Sequence, residues 1–292
     1  MDENASPLTI HPATPLPMHP SKPWRSVRLQ RFPISFRVDQ RVTGVLAILI
    51  GVASLALVVN VSRGEYPVPL WAVVKTIFGL PTTSDYAFVV NTLRLPRALI
   101  ALLVGMGLAT AGTILQGLTR NPLAAPGIIG INSGASLVAV AFIVLWPGLP
   151  VGWLPLAAFV GALLAAIAIY LLAWNQGSSP VRLILVGVGL TALTGACTTL
   201  MITFGNIYDV SQALVWLTGS VYGRSWANFW PLLPWMLLFL PLALILARDL
   251  DTLNLGDGLA QGLGNRVEWT RSLLLLCTAA LSGSAVATAG TI

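Results

Sequence analysis

Residues 98–119 form 22 consecutive positions without an ionisable side chain, bounded by Arg97 and Arg120. A helix of that length measures about 33 Å at 1.5 Å per residue, enough to cross a hydrocarbon core of roughly 30 Å. Gly105, Gly107, Ala109, Ala111 and Gly112 crowd this stretch. Small residues let helix backbones approach closely in lipid, where no hydrophobic force draws helices together, so this helix is predicted to lie inside a bundle. Seven apolar spans follow from the same criterion: 42–61, 98–116, 128–146, 154–174, 183–204, 226–247 and 272–292, none holding Asp, Glu, Lys, Arg or His. The chain is 9% charged and 56% apolar, against about 25% charged for a soluble domain. The fold class is therefore all-α, a polytopic membrane helix bundle.

Orientation follows from the basic residues, which concentrate on the cytoplasmic side of short loops. With the N-terminus cytoplasmic, Arg63, Lys75, Arg94, Arg97 and Arg224 fall outside, and the other eleven of the sixteen Lys and Arg fall inside. Residues 1–41 are rich in proline up to Pro33 and carry no apolar periodicity. They read as a disordered cytoplasmic tail, followed by a transmembrane permease domain over 42–292. The outer loop 62–93 contains Trp71, which is predicted to anchor a short amphipathic turn at the headgroup level. Segment 205–225 is too polar to span, and Leu214–Leu217 suggest a short helix on the outer face.

Several function classes drop out. Both histidines, His11 and His19, lie in the tail, and both cysteines, Cys197 and Cys277, lie inside spans. No metal-ligand spacing or catalytic constellation can be assembled, so neither metal nor cofactor is expected and the chain is not an enzyme. The net charge of +6 is spread over the tail and the loops without interleaved aromatics, which excludes a nucleic-acid face. Charge-free spans offer no proton relay or buried ion site, and no phosphate-binding loop is present. A transport role would need its energy from a partner.

The inner loop 248–271 carries Leu255, Leu259 and Leu263 at intervals of four, one apolar face on a short helix over about 253–264. Asn254 is expected to cap it and Gly264 to end it. Such a helix would either insert into a groove on a cytoplasmic partner or lie on the lipid.

Two sets of residues then resemble one family. Leu93-Arg94-Leu95-Pro96-Arg97, Gly112, Gln116, Asn121-Pro122-Leu123-Ala124 and Gly130–Ala135 are similar to the FecCD-type permeases. So is the inner-loop pattern Leu255, Gly256, Asp257, Ala260, Leu263, Gly264. These are membrane subunits of ATP-driven importers for iron-siderophores, haem and vitamin B12. The resemblance implies a second permease subunit, a pair of cytoplasmic ABC ATPases, a periplasmic substrate-binding protein and a place in the inner membrane. It implies that Arg94 and Arg97 dock the binding protein, and that Asn121 and Leu123 with Ser179 and Pro180 form a cytoplasmic gate. Leu255, Gly256, Asp257, Leu259, Ala260, Leu263 and Gly264 would couple to the ATPase, and Thr191, Thr194, Thr198, Thr199 and Met201 would line the pathway. Ala125 stands where the family often has an acid, and Gly258 and Gln261 replace positions that are often Glu and Arg. Family members typically have ten spans, so the chain is expected to be a C-terminally truncated version. Two other readings stay open: a secondary transporter or channel without an ATPase, and a non-transporting fragment of a permease.

Overall fold

A computed structural model describes residues 24–28, 35–175, 177 and 179–291, and the chain divides into two compact units, 1–60 and 61–292. In the first unit, Trp24–Arg28 (β1) and Ser35–Asp39 (β2) pair antiparallel with Trp24 opposite Asp39. The apolar helix Gln40–Ser62 (α1) begins directly after them. The rest of the expected tail, residues 1–23 and 29–34, lies outside the described residues.

The second unit is built from helices. After α2 (Leu70–Ile77) and α3 (Ser84–Phe88), a π-helical stretch, Val89–Arg94, leads into α4 (Leu95–Thr119). Pro96 has no amide to donate into the preceding turn, and just before it the Leu95 amide reaches back five residues to the Val90 carbonyl, the wider π spacing. The chain continues through α5 (Ile131–Leu145), α6 (Leu154–Ala173), α7 (Pro180–Phe204), α8 (Ile207–Thr218) and α9 (Trp226–Ile245). Two short helices, α10 (Ala247–Asn254) and α11 (Asp257–Gly262), precede α12 (Val267–Ala289).

Among the described residues, six helices are long and apolar enough to cross a membrane, where seven spans are expected from the sequence. The difference is the stretch 128–146. Gly130 turns there with φ 97° and helix begins only at Ile131. The resulting 15-residue helix measures about 22 Å, short of a hydrocarbon core of roughly 30 Å. Segment 205–225 forms the expected short helix, α8, with Asn206 Oδ1 accepting from the Tyr208 amide at 3.3 Å. Trp71 is exposed on α2, with Lys75 Nζ 4.7 Å over its ring.

The axis of the bundle is α12, not α4. The apolar window of α12 is 83% buried, against 39% for the span that contains α4. It packs on α4, α5, α6 and α9, and its residues 278–289 are almost all Ala, Ser, Thr or Gly. A Cβ added at Gly283 would lie 2.9 Å from the Ala162 Cβ. Ser282 Oγ and Asn132 Oδ1 meet at 2.6 Å between α12 and α5, satisfying polar groups that lipid could not. One face of α4 meets this axis: a Cβ at Gly107 would lie 2.7 Å from Met236 Cε and 3.3 Å from the Leu281 carbonyl oxygen. Gly105 and Gly112, on its other face, look onto open space.

Candidate functional site

The helices bring candidate residues together at two opposite ends of the second unit. At one end lie the start of α4, α8, the start of α9 and the end of α12. Trp226 Nε1 donates to the Asn91 carbonyl at 2.8 Å, and the Ser220 amide donates to the Ala289 carbonyl at 2.6 Å. Arg94 and Arg97 stand here. Arg94 Nη1 donates to the carbonyls of Val61 at 3.0 Å and Ser62 at 3.2 Å, and Nη2 donates to that of Tyr66 at 2.6 Å. Its guanidinium thus ties the last residues of α1 to the loop that follows, packed against Gly64 where a side chain would collide with it. Arg97, one helical turn on, places its guanidinium 5.0 Å over the exposed Tyr222 ring.

Three carbonyls depend on Arg94, so removing it exposes the loop. In Arg94→Ala, tryptic cleavage after the exposed Arg63 is expected to rise about fivefold, the change that about 1 kcal/mol of lost local stability produces. Arg97→Ala leaves that rate unchanged. Equal cleavage in both variants would contradict the assignment.

A cavity of about 470 Å³ also opens at this end, lined by Phe159, Trp216, Arg224, Trp235, Ser284 and Thr288. Arg224 Nε is buried there without a hydrogen-bond partner, and burial pushes its guanidinium below its ordinary pKa.

The opposite end gathers the end of α4, the start of α7, α10, α11 and the start of α12. Arg120 ends α4 in the left-handed region at φ 51°, the one described non-glycine residue there. Asn121 Oδ1 accepts from the Leu123 amide at 2.9 Å, closing a tight turn that leaves the Leu123 side chain 78% exposed. Ser179 precedes α7 in extended conformation and Pro180 is the first residue of that helix. Nearby Gly177 lies against Glu268 at the start of α12. Asn121, Leu123, Ser179 and Pro180 thus share this end of the unit with the inner-loop helices. Between the open face of α4 and residues 124–128 runs a groove of about 450 Å³ lined by Gly112, Gln116, Pro126, Ile128 and Asn132.

The inner loop differs from its expected form. Asn254 does not cap a helix but ends α10, and the break falls at Gly256, whose φ of 113° an L side chain rarely adopts. Only then does α11 begin, at Asp257, to stop before Gly264 at φ 86°. The three leucines stay exposed, Leu255 ahead of the break and Leu259 and Leu263 beyond it. Leu255, Leu259 and Leu263 are 60%, 64% and 66% exposed, while Ala260 between them is fully buried against the bundle.

Two arginines that the sequence motifs do not single out complete this end. Arg120 Nη2 reaches Asp257 Oδ1 at 2.7 Å, and Arg271 Nη2 reaches the same oxygen at 3.0 Å. Arg271 also pairs with Glu268 at 3.4 Å. The signal available in the sequence is Arg271 itself, the fifth residue of a helix that carries no further charge to its end; its side chain is 1% exposed. In α7, Thr191, Thr194 and Thr198 donate to the carbonyls of Gly187, Leu190 and Thr194 at 2.8 Å each, and Thr199 to that of Gly195 at 3.0 Å. Their hydroxyls are therefore used within their own helix. Met201 is half-buried against the core. Among the described residues no group of three His, Cys, Asp or Glu could hold a metal ion.

The sequence matches the family model described as the FecCD transport family over residues 48–292. It is 44% identical over 268 residues to the achromobactin transport system permease protein CbrC of Dickeya dadantii, covering 91% of this chain and 75% of that protein. It is 42% identical over 248 residues to the Fe(3+) dicitrate transport system permease protein FecD of Escherichia coli, covering 85% and 76%. A solved inward-facing metal-chelate type ABC transporter superposes with a TM-score of 0.76 at 27% identity, covering 86% of this chain and 77% of that one. With six apolar helices long enough to span among the described residues, the chain is a multi-pass protein of the inner membrane. It belongs to the FecCD transport family, as a membrane-spanning permease subunit of an ABC-type transporter and not an enzyme.

Proposed function

We propose that this chain is one of two permease subunits of an ATP-driven importer of ferric chelates, working with a pair of cytoplasmic ATPases and a periplasmic substrate-binding protein. The observation that carries this reading is the separation of its functional residues. An arginine-bearing rim lies at one end of the second unit, and the short helix α11, bearing and flanked by exposed leucines, lies at the other. The basic residues favour a cytoplasmic N-terminus, which puts α11 in the cytosol and Arg97 outside. Leu255, Leu259 and Leu263 then fill a groove on the ATPase, helix-in-groove fashion. Asn121 and Leu123, with Ser179 and Pro180, act as the inner gate, and the groove beside Gly112 and Gln116 leads to it. The substrates named for the relatives, achromobactin and ferric dicitrate, favour a bulky iron chelate as cargo.

Uptake of labelled ferric chelates into vesicles holding the assembled subunits tests the function. Uptake that needs ATP and persists after the proton gradient is collapsed supports it. Uptake that survives ATP depletion and stops with the gradient would establish the secondary-transport reading in its place.

The outer rim carries its own expected result. Arg97 is free to meet an acidic partner once it leaves the Tyr222 ring, and rim charges act chiefly on orientation and association rate. The double variant Arg94→Glu, Arg97→Glu is expected to slow binding-protein association about tenfold or more at low salt, with the difference shrinking as salt screens it. Equal association rates at low salt would remove the rim from the docking surface.

A further inference from the structure

We propose that Arg120 is a positioning residue that, through Asp257, carries movement of the leucine-faced helix to the Asn121 turn and to the central helix. The inference rests on the ATPase-coupling reading given above and names the joint within it. Asp257 is the first residue of α11, one residue past the hinge at Gly256. Its Oδ1 is shared by two guanidinium groups from different parts of the bundle, Arg120 at 2.7 Å and Arg271 at 3.0 Å. Arg120 Nε and Nη2 also take the Leu253 carbonyl at 3.1 and 2.8 Å. One side chain therefore grips both sides of the Gly256 hinge, the end of α10 and the start of α11.

The backbone of Arg120 makes the grip directional. An L residue in the left-handed region is disfavoured by its Cβ crowding the following carbonyl, and such conformers persist where surrounding contacts over-determine them. Here those contacts are the side-chain bonds to Leu253 and Asp257, together with the amide of Arg120 on the Gly117 carbonyl at 3.3 Å. The next residue, Asn121, closes the gate turn. Rotation of α11 about Gly256 must displace Asp257 Oδ1, and with it Arg120 and the turn that follows. Through Arg271 the same oxygen anchors to α12, the axis on which α4, α5, α6 and α9 pack. A rigid connection there gives α11 something to push against.

The test uses the chain assembled with its ATPase and binding protein in bilayers. Arg120→Ala is expected to keep ATPase association and unstimulated hydrolysis, while stimulation by substrate-loaded binding protein falls about fivefold or more, the low end of typical coupling between sites. Asp257→Asn lowers stimulation by a similar factor, and the double variant is no worse than either single change, because both break one link. Asp257→Glu restores most of the stimulation. In the chain alone, Arg120→Ala speeds amide exchange at Leu123 and Ala124 by a similar factor. Stimulation that survives Arg120→Ala, or effects that add in the double variant, would overturn the proposal. Loss of ATPase association in Arg120→Ala would also overturn it, making the residue part of the docking surface. A wild-type chain that holds no ATPase would instead remove the coupling reading itself, and the joint with it.

Discussion

Leu259→Asp and Leu263→Asp are each expected to abolish the ATP hydrolysis that loaded binding protein stimulates, while membrane insertion and the fold persist. Both residues are about two-thirds exposed and neither belongs to the buried core of the chain. In a docked complex they enter an apolar groove, and a carboxylate there loses its water without gaining a partner. Central anchors of an interface typically cost 2 kcal/mol or more on truncation, so a buried charge is expected to weaken ATPase binding by about thirtyfold or more. Gln261→Asp, whose exposed side chain lies between the leucines in sequence, is expected to change binding little. Size-exclusion profiles of the chain and titration of the ATPase onto it measure the two effects separately. Unchanged stimulated hydrolysis in both leucine variants would place the partner contact elsewhere.

Gly134→Leu is expected to prevent the second unit from folding. α5 and α6 meet at this residue with no space between them: an added Cβ would collide with the Ala165 Cβ and lie 2.7 Å from the Gly161 carbonyl oxygen. Overpacking a core with flexible neighbours costs about 1–3 kcal/mol. Here the obstacle includes the backbone of the facing helix, and the cost rises above that range. Gly105→Leu is the internal control, because nothing lies within 4 Å of a Cβ at that position. Both changes add the same side chain to an apolar helix, so insertion energies move alike. Thermal unfolding in detergent is expected to show Gly105→Leu near the wild type and Gly134→Leu without a cooperative transition. Equal stability of the two variants would refute the α5–α6 contact.

Much of this architecture is legible in the amino-acid sequence. Charge-free runs mark the helices that span, and the polar segment 205–225 marks α8. Leucines at 255, 259 and 263 mark the exposed face of the inner loop. Which helix forms the axis is not legible from apolar content, because lipid and protein neighbours are equally apolar and hydropathy does not separate them. Small residues at Gly105 and Gly112 point to an interior position for α4, yet both face open space. The small residues that do pack on every side are those of 278–289, in α12. The span expected over 128–146 is shortened by the positive φ of Gly130, a backbone state that composition does not report. The same holds for Gly256, which divides the inner-loop helix in two. Arg120 and Asp257 are 137 residues apart, and nothing local in either sequence context announces their pairing.

The central claim is that α11 is where an energy-supplying subunit grips this chain. The most direct measurement is photo-cross-linking in intact membranes, with the reactive side chain placed at Leu259 and, as the control from the opposite end, at Tyr222. The account predicts a nucleotide-binding subunit cross-linked from Leu259 and none from Tyr222, with the yield changing when non-hydrolysable ATP is added. No nucleotide-binding subunit from Leu259, or equal yields from both positions, would contradict it.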